Sequence, residues 1–437
     1  MTEETKRQPD DVHVTDPVPQ DGPSRKTLLS NTLYVFGGTA GTAISQALAG
    51  IVLLVILSKY HYGVLTSAVA WIDPLRRLAV FGLDAIGLRR AALEPERANQ
   101  VVSTLVMLRA GISLLCFVAV LILAPTLRAD APGGAIALIA AGLVLIPASV
   151  AAPLQVAFQA RHQNRQLLGM PLVSALAQAL VLGVLYLANA SVVYYIAAIS
   201  TTEVVNALFI YVMLRREQGD FWRPLDRPLA REMLKEAAPL AYSYLVVMLY
   251  KRIGFYLVEA QHGVEAVGAL GAAVQLSSPA VGIGGALSVS MGAYAASLAS
   301  RRQLAELRGA AIKTVAKVLG ILGPVTFLLV VFAIPIAERW APDYQDAARA
   351  YIWMSTAGLF MFVARTATSI IVALGKTSVM TYLVTFDLVV FCGLAWWLVP
   401  GYGPEGAAIA TFLMEGINST IQCGLVLLYT RVHATSA

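Results

Sequence analysis

Residues 61–85 read HYGVLTSAVAWIDPLRRLAVFGLDA. The stretch is long enough to cross a bilayer, since about 30 Å of hydrocarbon takes roughly 20 residues of helix. Most of it is apolar, yet Asp73, Arg76, Arg77 and Asp84 fall within it. An ionisable group facing lipid is costly, so each of these needs a partner or water. On a continuous helix turning about 100° per residue, Thr66, Asp73, Arg77 and Asp84 lie within about 60° of one another, with Arg76 beside them. One face is therefore polar through the middle of the membrane and is expected to line a wet cavity.

The rest of the chain supplies the neighbours that such a helix needs. The 437 residues are 58% apolar and 13% charged, with a mean hydropathy of +0.69. A soluble domain is closer to half apolar and a quarter charged, so the composition belongs to a bilayer protein. The net charge of +6 is explained by basic cytoplasmic loops, and no soluble domain remains to bind nucleic acid. Cys116, Cys392 and Cys423 lie in apolar runs without a CxxC pair, and the five histidines are scattered with no HExxH. Neither a metal site nor a cofactor is expected.

Residues 1–27 are polar and rich in Pro and Asp, and read as a disordered cytoplasmic tail. Apolar helices then recur at 28–57, 63–88, 99–124, 134–159, 167–188 and 191–214. A basic linker follows at 215–236, and then come helices at 237–258, 264–299, 307–337, 347–374, 377–399 and 404–430. The final residues, 431–437, form a second cytoplasmic tail. With the N-terminus inside, the inner loops collect Arg25, Lys26, Arg89, Arg90, Arg97, Arg161, Arg165, the 215–235 cluster, Arg301, Arg302, Arg308, Lys376 and Arg431. The outer loops keep Lys59, Arg128, Arg339 and Arg349. That bias supports twelve spans with both ends in the cytoplasm. The expected fold is an all-α integral membrane protein, with about 12 transmembrane helices in two six-helix lobes (28–214 and 237–430) around a central cavity. The lobes look related: Gly63 and Gly268 stand at corresponding places and are read as turns before the second and eighth spans. Two parallel halves with a site between them are a transporter pattern.

Further charges fall inside spans. Lys251 and Arg252 lie in the outer half of the seventh, and Arg365 lies in the tenth with Ser369 one turn on. Arg109, Glu203, Asp387 and Glu415 complete the set. A plain reading makes them salt bridges that fix packing, with Asp73 against Arg77 as the natural pair and Lys251 and Arg252 reaching to the outer interface. The balance is cationic, however, and a positive wet cavity favours an anion. Arginine forks match phosphate oxygens. Arg76, Arg77, Lys251, Arg252 and Arg365 are therefore the candidate substrate contacts. Asp73, Asp84, Asp387 and Glu415 are candidates for ion coupling or structural pairing. There is no phosphate-cradling Gly-rich loop followed by Lys, and hence no ATPase within the chain.

Four stretches carry a family resemblance: LSKYHYGVLTSAVAWIDPLRRLAVFGLDAIGLR (57–89), LYKRIGFYLVEAQHGVEAVGALGAAVQL (249–276), SIIVALGKTSVMTYLV (369–384) and VPGYGPEGAAIATFL (399–413). Their order and spacing resemble the polysaccharide and lipid-linked oligosaccharide flippases of the multidrug/oligosaccharidyl-lipid/polysaccharide exporter superfamily. The chain departs in having Val258 and Glu259 where relatives often carry Leu-Gly, and in lacking an Arg in the first span. The resemblance implies two lobes around a V-shaped cavity and a polyprenyl-pyrophosphate-linked sugar flipped to the outer leaflet of the bacterial inner membrane. It also implies membrane lipids and a polysaccharide polymerase machinery as partners.

Two other classes compete. A Na⁺- or H⁺-coupled drug or metabolite antiporter of the same superfamily would rely on buried carboxylates more than on arginines. A membrane glycan polymerase or ligase would need catalytic residues on a sizeable outer loop, and the outer loops near 125–133 and 338–347 are short. The topology is directly testable in whole cells. A single cysteine placed at 130 should react with a membrane-impermeant maleimide, whereas one at 220 should react only after permeabilisation.

Overall fold

Every segment of regular structure among the described residues is helical. The computed structural model describes residues 41–432 apart from 43–44, 128–132, 162, 164–166, 168, 302 and 341. The expected tail at 1–27, Arg165 and residues 433–437 lie outside the described residues.

The helices are α1 (Ser45–Ile56), α2 (Lys59–Val80), α3 (Leu83–Leu93), α4 (Ala98–Leu127), α5 (Gly134–Gly142), α6 (Leu145–Ala160), α7 (Met170–Leu187), α8 (Val192–Gln218), α9 (Arg227–Ser300), α10 (Leu304–Trp340), α11 (Gln345–Ala373) and α12 (Thr377–Val432). Seven helical stretches among the described residues are long and apolar enough by themselves to cross a membrane. Both α9 and α12 are two arms joined at a single non-helical glycine, Gly263 (φ 79°) and Gly403 (φ 55°). Only glycine takes that left-handed conformation freely. The pairs α2–α3 and α5–α6 each make one crossing. The bundle therefore has twelve crossings, and it is an all-α membrane protein with two six-helix lobes, α1–α8 and α9–α12, around a central cavity.

Three expectations are corrected. The second span is broken, because Phe81 (φ 50°) and Gly82 (φ 70°) are both left-handed. Asp84 consequently sits in α3 and does not continue the Thr66–Asp73–Arg77 stripe of α2. The fourth span is likewise two helices, α5 and α6, meeting at Leu143 and Val144. Neither Gly63 nor Gly268 is a turn: each lies within a helix, α2 and α9, and the two face each other. A Cβ on Gly63 would strike the carbonyl of Val264, and one on Gly268 would strike the carbonyl of Lys59 and the backbone of Gly63. Glycine is needed there for close approach of two backbones, a role that small residues commonly fill between membrane helices.

Contacts between the lobes gather where α2 begins. Lys59 Nζ donates to both carboxylate oxygens of Asp346 at 2.9 Å. Ala269, Ala272 and Ala347 of the second lobe are buried in the apolar cluster of the first. Toward the other end, Leu240 of α9 runs against the α2–α3 break at Gly82. There Arg90 of α3 reaches Glu232 and Glu236 of α9 and holds the Glu236 carboxyl below its usual range by a hydrogen bond. The basic connection between the lobes is packed and capped: Phe221 is buried, Ser103 Oγ accepts from the Arg223 amide at 3.1 Å, and Asp226 caps α9 through the Leu229 amide. Gly268→Ala should lower the melting temperature in detergent by the equivalent of about 1–3 kcal/mol of overpacking. The control Gly183→Ala, with nothing within 4 Å of the new Cβ, should leave stability unchanged or raise it.

Candidate functional site

The break at Phe81–Gly82 and the proline one helical turn above Leu78 shape the site. Pro74 lies inside α2 and has no N–H to give to the carbonyl of Ala70, its helical acceptor. That carbonyl is taken by α9, whose Tyr256 hydroxyl donates to it at 2.8 Å. Trp71 and Tyr256 rings lie against each other, 4.7 Å between centroids. One step toward the end where α2 begins, Ser67 Oγ donates to Glu259 Oε2 at 2.7 Å. One step the other way, Arg252 pairs with Asp73. A ladder of polar contacts thus joins α2 to α9 and ends at the cavity.

The cavity measures about 710 Å³. Its walls carry five basic side chains, Arg76, Arg77, Arg109, Lys251 and Arg252, against three acidic ones, Asp73, Asp84 and Glu203. Three pairs form. Arg109 of α4 donates to both oxygens of Asp84 in α3, at 2.7 and 2.9 Å, and to the Ala148 carbonyl of α6 at 3.1 Å. Arg76 of α2 pairs with Glu203 of α8. Arg252 of α9 pairs with Asp73 of α2 and lies 5.2 Å from the Phe255 ring centroid. Among the described residues no carboxylate lies within 4 Å of Arg77 or Lys251, and both side chains are exposed to the cavity. They belong to different lobes and form no ion pair, although Glu415 lies within electrostatic range of Lys251.

The expected Asp73–Arg77 pair is therefore replaced by a pair between lobes. Lys251 and Arg252 do not reach out to the interface; they line the cavity. Arg365 is half-buried and is not among the cavity's lining residues. It lies in the second lobe, where its charge acts on Glu415, Tyr250 and Lys251. Asp387 and Glu415 are each 4% exposed and are close enough for their charges to interact. Tyr250 donates to Glu415 at 3.5 Å, while Gln422 donates to Asn418 at 2.7 Å and accepts from Thr368 at 2.6 Å. These groups form a polar core within α9, α11 and α12, behind the cavity wall. The uncharged polar groups that also line the cavity system, Gln46, Gln178, Thr202 and Gln275, were not singled out by sequence. Their only signal is an isolated amide or hydroxyl in an apolar span.

The net-positive chamber thus lies between the two lobes of a multi-pass helical membrane protein, and that fold recurs in solved structures. The fold matches a multidrug resistance transporter of the MATE family in the MOP superfamily. In its outward-facing conformation the TM-score is 0.65 at 16% identity, covering 95% of this chain and 98% of the other. In its inward-facing conformation the TM-score is 0.66 at 16% identity, covering 93% and 96%. A MOP-superfamily transporter from Pyrococcus furiosus, described as having a binding pocket of reverse polarity that suggests a different function, aligns with TM-score 0.66 at 16% identity over 94% and 96%. Among curated proteins, none matches this sequence. Residues 28–289 match the polysaccharide biosynthesis protein family, and the chain belongs to it.

Breaking the pair between lobes leaves a charge in the bundle without its partner. Asp73→Asn and Arg252→Gln should each destabilise the protein by about 3 kcal/mol. The double variant should lose clearly less than the sum, as a double-mutant cycle of melting curves would show.

Proposed function

We propose that this protein moves a polyprenyl-pyrophosphate-linked oligosaccharide from the inner to the outer leaflet by alternating access. The observation that carries this reading is the pair of cations without an ion-pair partner among the described residues, Arg77 and Lys251, offered by opposite lobes to one chamber. A pyrophosphate there would be bracketed from both sides. Arg76 and Arg252 stand next to them, each held in its own ion pair. Family membership in polysaccharide biosynthesis supports a glycan cargo. The fold supports movement of two lobes against each other.

The alternative is an ion-coupled drug or metabolite antiporter, as the multidrug relatives suggest. The net positive chamber argues against a cationic drug. A membrane glycan polymerase or ligase is the remaining alternative. The buried Asp387–Glu415 region is our candidate for ion coupling, with Asp73 and Asp84 held in structural pairs. Arg365 then acts on that region instead of on the cargo. The loop charges support a bacterial cytoplasmic membrane location with both termini inside, and a boundary between lobes at the basic 215–236 segment.

In proteoliposomes carrying a polyprenyl-pyrophosphate-linked sugar, Arg77→Gln or Lys251→Gln should reduce flipping at least about tenfold, the weight of one charged hydrogen bond or a little more. Wild-type rates in both stably folded variants would sink the reading. The ion pair where α2 begins adds a second expectation. In a chain whose native cysteines are replaced, Lys59→Cys and Asp346→Cys joined by a short bis-maleimide, which alkylates both thiols, should stop flipping, because the mouth at that end could no longer open.

A further inference from the structure

Beside the cationic chamber lies a second compartment of about 310 Å³, within the size range of small-molecule sites. It shares Gln46, Arg76, Glu203, Arg252, Phe255 and Val274 with the chamber, and extends from them toward Tyr62 and Leu65 near the start of α2. Its electrostatics differ from the chamber's. The charged groups on its wall, Arg76, Glu203 and Arg252, are all tied into ion pairs. Its other polar groups are hydroxyls and carboxamides, among them Thr66, Gln178, Thr202 and Gln275.

Gln178 is the telling residue. It lies at mid-height in α7 and is 5% exposed. Thr202 of α8 donates to its Oε1 at 2.8 Å, and among the described residues nothing pairs with its Nε2. That nitrogen is not among the sealed-off polar atoms of the bundle, so it is open to the cavity and can donate to whatever fills it. An anion would find no uncompensated cation here, and a cation would find Glu203 already neutralised. An uncharged hydroxyl fits: it donates and accepts, so it completes the amide whichever way the amide is turned.

We infer that this alcove holds an uncharged sugar of the cargo, with Gln178 hydrogen-bonded to a sugar hydroxyl and positioned by Thr202. The inference rests on the proposed pyrophosphate chamber and deepens it. The phosphates stay with Arg77 and Lys251, and the attached sugar passes between Arg76 and Arg252 into the alcove. The sugar nearest the pyrophosphate is then a neutral hexose or N-acetylhexosamine. A uronic acid would bring a carboxylate beside Glu203, with no free cation to meet it.

The test uses the full-length protein in detergent and three probes: a short-chain prenyl pyrophosphate, the same compound carrying one neutral hexose, and the same carrying one hexuronic acid. Calorimetric titration should show the hexosyl probe binding at least about fivefold tighter than the bare one, the weight of a net neutral hydrogen bond. The uronosyl probe should gain nothing. Gln178→Leu and, as an independent check, Thr202→Val should erase the hexose gain while the bare probe binds within twofold of wild type, which also shows the variants to be folded. A hexose gain that persists in both variants, or an equal gain for the uronosyl probe, would overturn the alcove. The chamber is judged separately, since Arg77→Gln or Lys251→Gln should weaken all three probes alike. Should the bare probe fail to bind the wild-type protein, the chamber reading falls. An uncharged alkyl hexoside then decides the alcove, whose binding must vanish in Gln178→Leu for the inference to stand.

Discussion

A charge placed inside a membrane needs a partner or water, and of the three ion pairs on the cavity wall one joins the two lobes. Asp73 of α2 and Arg252 of α9 meet on the cavity wall. The other two matched pairs, Arg109 with Asp84 and Arg76 with Glu203, close within the first lobe. This division sets up the rest of the site. The pairs inside one lobe hold α2, α3, α4, α6 and α8 as a unit. The pair between lobes marks where that unit meets its partner, and the cations left over define what the cavity can attract. In lipid, where burying apolar side chains gives little drive for helices to associate, such polar contacts and close backbone packing carry much of the specificity.

Much of this was legible in the sequence. Helix number followed from apolar runs at span length. The cationic interior followed from the few residues that cannot face lipid. Partners were not legible. Asp73 and Arg77 sit one turn apart, and local spacing favours them as a pair. The fold instead brings Arg252 within reach, a contact spanning 179 positions that no periodicity encodes. For Arg365 too, depth in a span says that a charge is buried, without saying which neighbour it faces. The break at Phe81–Gly82 escaped because an isolated Phe-Gly in an apolar run has no strong turn signature. Gly63 and Gly268 were found as a corresponding pair, but their meaning lay in the contact they make with each other.

The ladder between α2 and α9 also orders the site along those two helices. Its contacts run from Ser67–Glu259 through Ala70–Tyr256 to Asp73–Arg252, and the pair of Lys59 with Asp346 of α11 lies beyond the first of them. The last rung is ionic on both sides and the others are neutral or half-neutral. Only the last rung borders the chamber.

Pro74 has a consequence for how the protein is made. Its missing N–H leaves the Ala70 carbonyl without a partner inside α2, and Tyr256 supplies one from a helix that leaves the ribosome roughly 180 residues later. Until α9 is inserted, α2 carries in the bilayer both an unsatisfied carbonyl and Asp73 without its arginine. The first lobe is thus left incomplete during synthesis, and arrival of the second lobe finishes it. Correct insertion of one half becomes a chemical condition on the other.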